Sequence, residues 1–192
     1  MPETADAGGV PRGLGDSDQT VGAGDPVRVL LASNRWAMHA LLDAMEPLTD
    51  AQLDEAFEMG LGTLRSSVRH MLGAMDGWTG VLLGEPFGGG SRPPALTPER
   101  SYSVAEFRRL TDEIADALER AAAGDMDKVF TGERGGRRYS FTRGGVVCHV
   151  ATHGFHHRAQ CLNMLRRLGV GELPRSSVYE WMLHEPGAVL SA

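Results

Sequence analysis

At 192 residues the chain is long enough for one domain with a substantial core and too short for two ordinary ones. Its formal charge of -6 and pI near 5.6, with both signs interspersed, argue against a nucleic-acid binder and against adhesion to anionic lipid. No apolar run approaches the roughly 20 residues that span a bilayer, and no basic region followed by an apolar stretch opens the chain, so a cytoplasmic protein with no membrane partner is expected.

Residues 1 to 24 are rich in Gly, Asp, Pro and Thr without periodicity and cannot offset their ordering entropy by burial. They are expected to form a mobile tail ahead of one domain over residues 25 to 188. A first helix is predicted from Asp25 as cap and Pro26 as first residue, with Val27, Leu30, Leu31, Asn34, Met38, Leu41, Leu42 and Met45 at helical spacing, ending near Pro47. A small helix from Thr49 to Ala56 leads to a second long one, whose face carries Leu64, Val68, Met71, Leu72, Met75, Trp78, Val81 and Leu82, with Gly84 and Pro86 as the stop. That helix holds His70.

The Gly- and Pro-rich stretch after Pro86 reads as a long loop. A third long helix opens with a capping box, Ser103 to Glu106, and closes at Gly124. Val129, Phe130, Tyr139 and Phe141 around Gly135-Gly136 suit a small hairpin. The fourth long helix runs from about Thr142 to Gly169, and a short one, SSVYEWMLHE, ends at Pro186. Together these predict an all-α four-helix bundle with a small β-hairpin before the last long helix. Cys148 and Cys161 are 13 residues apart on the fourth helix, about 20 Å along its axis, and cannot bridge within it.

The segment HVATHGFHHR places four of the seven histidines within ten residues. At about 100° per residue, His149, His153 and His157 fall within about 80° of one another, and His156 lies on the same side. A solvated polar face is the plain reading of such a stripe. Against it, stacked imidazoles repel once protonated, whereas a metal takes them neutral and accepts a pair at this spacing. The helix is apolar on both flanks, so part of the stripe faces inward. His70, among Val68, Met71 and Leu72, stands where an inward histidine needs a partner. Two ligands from one helix and one from another would leave open positions, as in a catalytic centre. Cys161, four residues after His157, is a candidate fourth ligand, but a buried small hydrophobe is its commoner role.

The run His149-Val-Ala-Thr-His153-Gly-Phe-His156-His157-Arg158-Ala159-Gln160 resembles the histidine motif on the last long helix of the DinB/YfiT-like metalloproteins. NRWAMHALLDAMEPL, GLGTLRSSVRHMLGAMDGW and YEWML are similar to that family's first, second and closing helices, so the resemblance covers about residues 27 to 184. It implies an up-down-down-up bundle with a central divalent metal, usually zinc or nickel, held by His70, His153 and His157. His149 would then lie behind the ligands or in the substrate pocket, and His156 at the bundle's edge. One departure is Ala159, where the family usually has Gly.

Relatives of understood activity are bacillithiol and mycothiol S-transferases and a mycothiol-dependent maleylpyruvate isomerase. The resemblance therefore implies a metal-dependent S-transferase joining a low-molecular-weight thiol co-substrate to small electrophiles, and by family habit a homodimer. A metal-dependent hydrolase and a non-catalytic metal-binding stress-response protein are the alternatives. His149 and Arg158 are the candidate substrate-binding residues. Arg158 is read first as an exposed helix arginine and second as a clamp for a substrate carboxylate at the pocket mouth.

Overall fold

The structure, a computed structural model, describes residues 25–86, 96–97 and 100–184. The expected tail, the middle of the long loop and the Pro186 stop lie outside these residues. The elements in chain order are α1 (Pro26–Met45), α2 (Asp50–Leu53), α3 (Leu64–Leu82), α4 (Val104–Ala122), β1 (Val129–Arg134), β2 (Arg137–Thr142), α5 (Arg143–Arg167) and α6 (Val178–His184).

The helix starts follow the local chemistry of their caps. Asp25 accepts from the Val27 amide with Pro26 in the first turn, Thr63 accepts from Ser66, and Ser103 and Glu106 form a reciprocal capping box. The predicted helix from Thr49 to Ala56 shrinks to Asp50–Leu53, because Thr49 is spent as a capping-box residue with Gln52 and the chain then leaves helical geometry at Asp54. The hairpin turns at Gly135 and Gly136, with φ of 59° and 73°, a pair of left-handed residues that matches strand twist in a two-residue turn. Val129 pairs with Thr142 at its open end and Arg134 with Arg137 at the turn. Thr142 both ends β2 and caps α5 by accepting from the Gly145 amide at 3.1 Å.

Helix directions follow from which residues meet. Arg35 and His39 bond Asp112 while Arg108 bonds Asp43, so α1 and α4 are antiparallel. His70 meets His153 and Trp78 meets His149, which makes α3 and α5 antiparallel. Arg65, at the start of α3, donates to the Tyr102 carbonyl just before α4, so these two run in parallel. The order is therefore up-down-down-up, with α1 and α3 on one diagonal of the bundle and α4 and α5 on the other.

The bundle axis is apolar. Met38, Leu42, Met45, Leu64, Met71, Leu72, Phe107, Leu118, Met164 and Leu165 are at most 1% exposed. Two buried arginines tie the helices together, and periodicity gave no sign of the first. Arg65 donates to Asp54 Oδ1 at 2.8 Å and to Asp50 Oδ1 at 2.6 Å, fastening α2 to the start of α3. Arg158, 3% exposed, donates to Asn34 Oδ1 at 2.6 Å and so joins α5 to α1. Gly154 makes room for that pair: a Cβ there would stand 2.5 Å from Asn34 Oδ1 and 2.8 Å from Arg158 Nη1. Ala159, by contrast, is exposed, so the extra methyl at that motif position narrows no helix contact.

Gly154→Ala is therefore expected to lower unfolding free energy by about 2 kcal/mol, through displacement of a buried hydrogen-bonded charge, despite alanine's better helix propensity. Urea denaturation measures it, and a variant as stable as the parent would show that the Asn34–Arg158 contact is not a constraint.

Candidate metal centre

The antiparallel seam between α3 and α5 brings the histidines together. His153 and His157, one turn apart, face His70 across the seam, and the ring centroids of His70 lie 4.9 Å from those of His153 and 4.7 Å from those of His157. One ring nitrogen from each of the three can be chosen so that all lie within 4.8 Å of one another. The Nε2 atoms of His70 and His153 are 3.1 Å apart. A tetrahedral ion with bonds of about 2.0–2.1 Å needs donor nitrogens about 3.3 Å apart, which the His70–His153 separation nearly matches. The donor set, three imidazoles and no thiolate, suits zinc, nickel, copper or iron.

Burial follows helical phase. Going round α5 from His156 through His149 and His153 to His157 spans about 100°, and exposure falls in that order from exposed to 9%. His70 is itself exposed, so the cluster opens outward along the α3–α5 groove. The expectation of a central site is corrected here, because methionine and leucine side chains already fill the axis.

Two members of the cluster, His153 and His70, are held neutral. Burial, and after it the neighbouring imidazoles of His157, His70, His149 and His156, push His153 down to about 4 from an ordinary 6.5. Burial first, then His157 and Arg69, also hold His70 below the ordinary range. These are the lone-pair-bearing forms that a cation requires.

Gln160 supports the cluster from behind. Its Oε1 lies 2.9 Å from His157 Nδ1 and must accept there, which leaves the lone pair of His157 on Nε2. Its amide nitrogen lies 3.1 Å from His156 Nε2, so His156 sits at the exposed edge and helps to anchor the glutamine. Gly60, with φ of 52°, permits the arrangement, because a Cβ there would lie 2.3 Å from Gln160 Oε1. The glutamine was visible in the sequence as part of the stripe, but its orienting role was not, because the opposing Gly60 lies 100 residues away along the chain.

The remaining candidates fall in three different places. His149 is exposed, packs edge-on against Trp78 at 5.0 Å and stands 5.4 Å from His153, centroid to centroid. It thus faces a cleft of about 1010 Å³ between the hairpin and the α3–α5 seam. Arg158 is neither exposed nor at the mouth of that cleft. It points to α1, and burial, slightly opposed by Cys161, pushes it down to about 10, at which it still carries its charge at neutral pH. The reading of an exposed arginine fails because the position lies about 100° beyond His157, on the side that α1 covers. Cys161 is fully buried, free, and outside the cluster; burial pushes its thiol up to about 12, so it offers no thiolate. Cys148 is free and exposed.

Residues 19–185 match the model of the DinB family. No curated protein matches the chain. Among the described residues no helix is long and apolar enough to cross a membrane.

Two measurements follow from the geometry. The folded His153 and His70 titrate below the unfolded imidazole, so unfolding of the metal-free chain takes up protons between about pH 6.5 and about pH 4. Its melting temperature is expected to hold above that window and fall as pH drops through it, and His153→Gln to flatten the fall. An equal slope in the variant would contradict the crowding. Gln160→Leu is expected to weaken metal affinity by about 10- to 100-fold in chelator competition; unchanged affinity would remove its orienting role.

Proposed function

The chain belongs to the DinB family, and on that premise we propose that it is a metal-dependent S-transferase that joins a low-molecular-weight thiol to small electrophiles, with His70, His153 and His157 as the ligands of a zinc or nickel ion. The observation that carries this reading is the convergence of three imidazoles, His70 and His153 among them held neutral by burial, on one face of the bundle that is open to solvent. Three protein ligands leave positions for an exchangeable partner, whereas a purely structural ion is normally enclosed by four.

The divalent ion, when bound, supplies Lewis acidity that favours the thiolate form of a thiol near neutral pH. The protein's own contribution is positional. Gln160 fixes the His157 tautomer and ring plane, and the α3–α5 seam sets the separation of His70 from the other two. His149 and Trp78 border the cluster on the side of the cleft, where an electrophile could lie against the thiol. No carboxylate belongs to the three-residue cluster, so these ligands would leave a bound ion its full positive charge, which favours an anionic sulfur.

Protein prepared without a polyhistidine tag and loaded with zinc or nickel is expected to consume a cysteine-derived bacterial thiol together with monochlorobimane. His70→Ala and His153→Ala should each lose both stoichiometric metal and turnover, while His149→Ala and His156→Ala keep the metal. Metal retained in full by both of the first two variants would sink the ligand assignment. Failure to consume any of several bacterial thiols, with ester or amide turnover in water alone, would replace the transferase by a hydrolase.

A further inference from the structure

The cleft beside the histidine cluster has a definite chemical character. Its inner wall is aromatic: Trp78 from α3 packs edge-to-face with Phe141 from β2, centroids 5.0 Å apart and planes at 88°. Tyr139 and Phe141, two residues apart on one face of β2, hold their ring planes within 5° of parallel with centroids at 6.3 Å. Tyr139 is 37% exposed and lines the cleft, so part of its ring is open to a guest. Parallel rings beside a perpendicular indole accept a flat guest better than an aliphatic chain, because offset stacking and edge contacts are both available.

The charge in the cleft has one sign. Arg137 lines its outer part, is exposed, and forms no ion pair among the described residues, and no described carboxylate lines the cleft. The start of α5, from Thr142 to Gly145, closes the floor and directs the positive end of a 25-residue helix into it. The amides of Arg143, Gly144 and Gly145 are already bonded to Lys128, Met126 and Thr142, so the helix contributes its field and Arg137 a charged donor. The inner end leads through His149, 5.0 Å from Trp78 and 5.4 Å from His153, to the cluster.

We infer that this cleft binds an aromatic ring bearing a single anionic group such as a carboxylate, the ring against the wall formed by Trp78, Tyr139 and Phe141 and the anion on Arg137. His149, which lines the same cleft, stands between this guest and the cluster. That this guest is the electrophile rests on the thiol-transfer reading above; that it binds does not.

The test is calorimetric titration of the full-length, metal-loaded protein with 3-nitrobenzoate, 3-nitrobenzamide and hexanoate. The nitrobenzoate should bind more tightly than the other two by about fivefold, the scale of one exposed charge pair. Arg137→Gln, a change at an exposed hairpin position, should bring nitrobenzoate to the level of nitrobenzamide. Tyr139→Ser should weaken both aromatic compounds. The same titration of His153→Gln removes one proposed metal ligand, and there the preference for nitrobenzoate should persist. Equal binding of nitrobenzoate and nitrobenzamide, hexanoate binding as well as nitrobenzoate, an unaltered preference in Arg137→Gln, or its loss in His153→Gln would each overturn the assignment, the last by placing the carboxylate on the metal. If nitrobenzoate binds as described while no thiol is consumed, the cleft stands and the transferase reading fails.

Discussion

His70 and His153 share a space with His157 in which neither of the two readily takes a proton. That constraint originates in the antiparallel packing of α3 on α5, which sets His70 opposite the His153–His157 pair, and much of the surrounding structure serves to maintain it. Protonating both His70 and His153 would set like charges on rings whose Nε2 atoms are 3.1 Å apart, so the pair is favoured as neutral rings or around a cation. The opposite side of the bundle solves a different problem. There α1 and α4 are joined by exposed pairs such as Arg35 with Asp112 and Asp116, contacts that water screens and that add little apiece.

The α5 helix does two jobs at adjacent positions. His157 turns toward α3 and the cluster, while Arg158, one residue on, turns toward α1 and Asn34. A buried guanidinium with a neutral amide as partner, and with Nε unpaired among the described residues, is a poor source of stability. Its effect is to fix the rotation of α5 about its own axis, and that rotation decides which histidines look into the seam. Gly154 is the sequence's concession to this arrangement, lying one residue after His153 and under the Asn34–Arg158 pair.

How much of this could be seen in the sequence depends on whether the information was local. The caps at Asp25, Ser103 and Thr142, the Gly135-Gly136 turn and the apolar stripes of the four long helices all arise within a few residues, and they stand where periodicity and capping chemistry put them. The spacing of His149, His153 and His157 was local as well, and it put the three on one side of the helix, part of it facing inward. Three things were not local. The α3–α5 contact that supplies His70, the Gly60 cradle for Gln160, and the pairing of Arg158 with Asn34 each join residues more than 80 positions apart. The resemblance provided the first of these, but spacing could not provide the other two. Arg158 looked like a surface residue because a lone arginine beside polar neighbours usually is one. The buried amide that receives it belongs to the first helix, where Asn34 was counted merely as a member of the apolar stripe.

The central claim, that the α3–α5 seam presents three imidazole nitrogens and open positions to one divalent ion, is tested most directly by X-ray absorption on the tag-free protein loaded with one equivalent of zinc. The account predicts three imidazole scatterers at about 2.0–2.1 Å with one or more light oxygen or chloride neighbours and no protein sulfur. A shell containing Cys148 or Cys161 sulfur at about 2.3 Å, or four imidazoles, would contradict it, because the first requires α5 to turn about its axis and the second requires His149 to leave Trp78 and close the site.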